Sequence, residues 1–257
     1  VVDWFVEPAV GQADAGLAAG MVARSPLIGD ADLGEILVVP AAGNGEQDYL
    51  AKLSRAYIEL KTAGPVLHFG ERLHQMIQCL ETEHKPDIVL LDSRAGMHDI
   101  AAVTVSRLDA LAFLFAVDGA YTWDAYRLLF QHWRRDRNLL RHFRGNLRMV
   151  AGLAPDVGRP EYFASFRQAA YQLFTDYIYD PDGGDEPPAE GEEPFSFDLM
   201  SDSAPHDLLH VNWNRAFFSF DPVRRPDAVD DGLLQGGFGD FVERAAETLV
   251  GTQVKWS

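Results

Sequence analysis

Residues 85–100, KPDIVLLDSRAGMHDI, constrain the fold more than any other segment. Four aliphatic residues, Ile88 to Leu91, run without polar alternation between Pro86–Asp87 and Asp92–Ser93. A short apolar run closed by breakers reads as a strand buried on both faces, the habit of parallel sheets. Such a strand delivers Asp92 to its carboxyl end, where ligands bind in open α/β sheets. A carboxylate there, followed by a small-residue loop with Gly96, suits a Mg²⁺–phosphate site. The plainer alternative is that Asp92 caps the helix that follows.

The rest of the chain repeats the alternation. Residues 36–39 (ILVV, closed by Pro40), 108–117 (LDALAFLFAV), 147–153 (LRMVAGL, closed by Pro155) and 211–213 read as further strands. Helical spacing falls at 48–60, 71–83, 123–133, 162–179 and 238–250. Strands alternating with helices imply an α/β fold with a mostly parallel sheet covered on both sides, in a single domain over 1–257. Residues 180–194, DPDGGDEPPAEGEEP, read as a mobile acidic loop. Residues 222–237 read as a second irregular stretch. The aromatics of 162–179 read as core, with partner docking as the alternative.

Charge narrows the function. The formal net charge is −17, a field that works against nucleic-acid binding. Six arginines nevertheless cluster at 134, 135, 137, 141, 144 and 148, the solvated end of a helix or a docking patch. Cys79 is the single cysteine, so the chain forms no disulfide within itself, which fits a reducing cytoplasm. No apolar run is long enough to span a membrane, and the closing helix is amphipathic without being basic. His206 and His210 stand four apart, a spacing that on a helix would suit zinc, although Pro205 precedes them and VNW follows. His98 could serve as a general base by position or simply face solvent.

The run DIVLLDSRAG resembles the Walker B strand and switch II loop of the ParA/MinD branch of P-loop ATPases. ILVVPAAG at 36–43 resembles the strand that precedes this motif there. LAFLFAVDGAYTWDAYRLL at 111–129 resembles the next strand and helix, and LRMVAGLAP at 147–155 the strand leading to the adenine contact. The resemblance spans roughly residues 33–160, is similar to a KGG-type subgroup, and implies a three-layer Rossmann-like P-loop NTPase fold. It implies ATP and Mg²⁺ as cofactors, a homodimer with a protein partner, and slow hydrolysis that switches partner affinity. By the same resemblance Asp92 is the catalytic and Mg²⁺-holding residue. Ser93, Arg94 and Gly96 would lie along the phosphates, and Pro155 and Asp156 at the base.

The pattern departs from the family at Arg94, where many relatives have a proline, at Pro155–Asp156, where an Asn is more common, and most of all in the phosphate loop. No G-x-x-x-x-G-K-[ST] occurs, and none of Lys52, Lys61, Lys85 or Lys255 follows a Gly-rich loop. The expectation is therefore an incomplete fold, a C-terminal portion whose P-loop lies upstream, inactive by itself as an ATPase. Its apolar edges would be exposed for want of a central strand. The alternatives are a degenerate, non-enzymatic interaction module of the same fold, and a metal-dependent hydrolase built on His206 and His210.

Overall fold

The computed structural model describes residues 1–6, 15–28, 34–42, 49, 51–52, 69–93, 105, 108–181, 194–225 and 230–253. They fall into two units, Val1–Ala95 with Asp99–Leu108, and Gly96–His98 with Asp109–Ser257.

The first unit holds helices α1 (Val2–Val6), α2 (Ala15–Gly20) and α3 (Phe69–His84), and a ribbon of β1 (Ala23–Arg24) with β2 (Leu37–Val38). Its core gathers Val2, Trp4, Phe5 and Val6 of α1 with Ala18 and with Leu73, Met76 and Ile77 of α3. The three α3 residues recur at helical spacing, so they share one face. Arg72 is buried beside them. Its Nη1 donates to Phe5 O at 2.7 Å, its own carbonyl accepts from Trp4 Nε1 at 2.8 Å, and its guanidinium lies over the Phe5 ring.

Two strand expectations are corrected in this unit. Residues 36–39 do not form a buried parallel strand. Only Leu37–Val38 is extended in a ladder, antiparallel to Ala23–Arg24 and exposed, with Arg24 paired to Glu35 beside it. Residues 87–92 do not form a strand at all, and Leu90 is 84% exposed. A parallel strand needs neighbours along its edges and helices on its faces. Among the described residues nothing pairs with 87–92. The stop before it is as expected: α3 ends at His84, Lys85 turns with φ 47°, and Pro86 follows. Of the helix expected at 48–60, only positions 49, 51 and 52 lie among the described residues, and all three are helical.

The second unit is an α/β layer structure. A three-stranded, wholly parallel sheet runs in the order β3 (Ala112–Ala116), β4 (Leu147–Ala154), β5 (Leu208–Asn212). Helices α4 (Ala120–Trp133), α5 (Arg137–Phe143), α6 (Arg159–Tyr177) and α7 (Asp231–Gln253) surround it. Alternation along the strands divides the core between two faces. Phe113 and Phe115 meet Phe241 of α7 at 5.3 and 5.4 Å, beside Val150, Leu209 and Ala245. On the other face Phe163 of α6 packs on His210 at 5.0 Å. Phe130 bridges Trp133 and Phe174, both at 5.3 Å, and binds α4 to α6. The aromatics of 162–179 are thus largely core, with Phe166 and Phe174 fully buried.

The irregular stretch expected at 222–237 is corrected in its second half, because α7 begins at Asp231. Most of the acidic loop, 182–193, lies outside the described residues. No described helix is long and apolar enough to cross a membrane.

Candidate functional site

The carboxyl ends of β3, β4 and β5 converge on one edge of the second unit, the side where parallel sheets bind ligands. Leaving β3, Asp118 offers its backbone N–H to Tyr162 Oη at 3.2 Å and accepts Trp123 Nε1 on its carboxylate at 2.7 Å. Tyr162 is on α6 and Trp123 on α4, so one acid ties both flanking helices to the strand end. Burial raises the Tyr162 pKa, which keeps the phenol a donor or acceptor rather than a base.

β4 ends irregularly. Its register with β5 shifts between Ala151 and Ala154, and Leu153 takes φ 58°, uncommon for a branched side chain. Pairing then resumes, because Trp213 N donates to Ala154 O at 2.9 Å. Pro155 and Asp156 follow. Arg159 gathers both, donating from Nε to Pro155 O and from Nη2 to Asp156 Oδ1, each at 3.1 Å. Gly158, at φ 69°, makes the left-handed step that starts α6.

On β5, His210 Nδ1 lies 2.9 Å from Asp240 of α7. Burial lowers the His210 pKa, and the charges of Arg159 and Arg244 act the same way against the pull of Asp240. Next to it Asn212 donates to Gly236 O at 2.7 Å, while its Oδ1 is buried with no partner among the described residues. The edge therefore offers two carboxylates, an arginine, a phenol and a His–Asp pair. These groups suit binding of a polar ligand or transfer of a proton.

The expected site residues are distributed as follows. Pro155 and Asp156 sit on this edge. Asp92 and Ser93 belong to the first unit, exposed at the end of the 87–92 stretch. Arg94, Gly96 and His98 lie outside the described residues. Asp92 and Ser93 have the oxygen chemistry that Mg²⁺ takes, but no lysine in the sequence follows a phosphate-cradling loop. Asp118, Arg159, Tyr162 and Asp240 were missed in the sequence. Asp118 carried the same signal as Asp92, an acid ending an apolar run. Asp240 carried none, because its partner is 30 positions away on another element.

The zinc reading of His206 and His210 is corrected. Their segment enters a strand, where four residues span about 13 Å rather than one helical turn. Each ring also has other partners. His206 is buried, with Nε2 donating to Leu199 O at 3.2 Å and Nδ1 bonded to the Tyr179 hydroxyl. Among the described residues no group of three His, Cys, Asp or Glu is arranged to hold a metal.

No family model, no curated protein and no solved structure matches this chain.

Proposed function

We propose that this chain is the scaffold of a ParA/MinD-like nucleotide-dependent switch, binding ATP with Mg²⁺ and coupling slow hydrolysis to dimerisation and partner binding. The observation that carries the reading is the outer edge of β3. Among the described residues no strand pairs with it, and Phe115 on that strand is 51% exposed. Parallel sheets bury both faces and both sides of their inner strands. The apolar run 88–91 is exposed in the same way. A further strand, carrying the phosphate loop that these residues lack, would cover the outer edge of β3 in a Rossmann-like P-loop fold. The roles of Asp92 in holding the Mg²⁺ water shell and of Pro155 and Asp156 near the base rest on the resemblance alone.

The test is calorimetric. Mg-ATP is titrated into the protein extended upstream of Val1 and into the present chain. Saturable binding to the extended protein alone, lost on Asp92→Asn, supports the reading. An extended protein without a Gly-rich lysine loop that takes up no nucleotide removes it.

The non-enzymatic alternative has one observation in its favour: Asp92 is exposed and outside any sheet. On that reading the fold is an interaction module, and the extended protein binds a protein partner with or without nucleotide.

A further inference from the structure

The arginine cluster at 134–148 occupies the end of the second unit opposite the candidate site. α5 and its flanking turns lead directly into Leu147, the first residue of β4, and so lie at the amino end of the parallel sheet. Six of the chain's 22 lysines and arginines are here, in a molecule of formal charge −17. One acid, Asp136, lies among them, and its carboxylate caps α5 by accepting from Leu139 N at 3.0 Å.

The structure sorts the six into two sets. Arg144 and Arg148 turn inward. Arg144 grips Asp180 with both Nη atoms, at 2.7 and 3.0 Å, and lies 4.3 Å from the centre of the Phe195 ring. Arg148 donates to the carbonyls of Gly145 and Leu147. Arg134, Arg135, Arg137 and Arg141 stay exposed. Arg134 donates to Asp176 O and lies over the Tyr177 ring, contacts that leave its charge unneutralised. Arg135 and Arg141 form no ion pair with the described residues. Arg137 and Arg141 are four apart and share one face of α5. Leu139, within the same helix, is 37% exposed.

We propose that this face docks an acidic segment of a partner protein. Guanidinium forks take carboxylates two bonds at a time, as Arg144 already does with Asp180. Size also favours a peptide. α5 has seven residues and is about 10 Å long, against roughly 34 Å for one turn of a DNA duplex. Beyond the patch, a duplex would meet the field of a strongly acidic molecule. The proposal does not depend on the nucleotide reading.

The experiment measures fluorescence anisotropy of a labelled Glu-rich peptide, and of a labelled short DNA duplex, against the full chain. The peptide is expected to bind saturably and to be released by salt. The double change Arg135→Glu with Arg141→Glu is expected to weaken it about tenfold or more. Circular dichroism confirms that the variant is folded, and Arg135→Gln with Arg141→Gln replaces it if it is not. Absence of saturable peptide binding, binding indifferent to both variants, or tighter binding of the duplex overturns the proposal.

Discussion

Arg144 and Asp180 join the two ends of the acidic segment through Phe195. Asp180 accepts both Arg144 Nη atoms and the Phe195 N–H at 2.8 Å, while its own N–H donates to Phe195 O at 3.0 Å. Burial alone would raise the Asp180 pKa, but the Arg144 hydrogen bonds, the Phe195 N–H and the charge of Arg141 outweigh it and hold the carboxyl below its usual range. Arg144→Ala leaves that carboxylate short of its main partner, and a loss of about 1–3 kcal/mol is expected in urea unfolding. An unchanged urea midpoint would show that the pair contributes nothing. His206 has a comparable role deeper inside, between Tyr179 and Leu199. Burial lowers its pKa, so the native state favours the neutral ring. His210 shifts in the same direction. A depressed folded pKa gives stability that is full above the unfolded value, about 6.5, and is lost as the pH falls through the folded value. The urea midpoint should therefore drop on going from neutral pH to about pH 5, and drop less in His206→Gln. A midpoint that is flat over that range contradicts the assignment. The sequence showed these histidines only as a four-residue spacing, and whether that spacing brings two rings together depends on helix or strand.

At the scale of elements, legibility followed burial. β3, α4, β4 and α6 appear close to where their apolar patterns placed them, because each is held by neighbours in the same unit. The runs at 36–39 and 87–92 carried patterns as strong, but a strand forms only where an edge is available to pair with. The start of α7 was hidden for a different reason. Gly236 and Gly237 read as breakers, yet both lie inside the helix. A Cβ on Gly237 would come within 2.5 Å of the Phe217 ring, whereas one on Gly236 would meet nothing within 4 Å. The Phe217 ring is itself wedged against Phe220 and Phe238. Gly236→Ala should raise stability by roughly 0.5–1 kcal/mol through helix propensity. Gly237→Ala should lose that gain to overpacking, which costs about 1–3 kcal/mol. Equal melting shifts in the two variants would show that Phe217 gives way freely.

Over the whole molecule, apolar surface is the dominant unresolved quantity. Ile88, Leu90, Phe115 and Val117 are all exposed, in units that each contain their own core. Surfaces of this kind mark interaction sites or drive association. The chain by itself is expected to elute from a sizing column as oligomer or aggregate, and Leu90→Lys should reduce the associated fraction. A single monomer peak for the unaltered chain would argue against an absent strand. A function could be read from the sequence only as a resemblance, carried by a carboxylate after an apolar run, while a Gly-rich lysine loop does not occur. The most direct test of the central claim is sedimentation velocity of the upstream-extended protein with Mg-ATP and with Mg-ADP. A nucleotide switch predicts a dimer with ATP and a monomer with ADP, the difference vanishing in Asp92→Asn. Identical sedimentation in both nucleotides would contradict it.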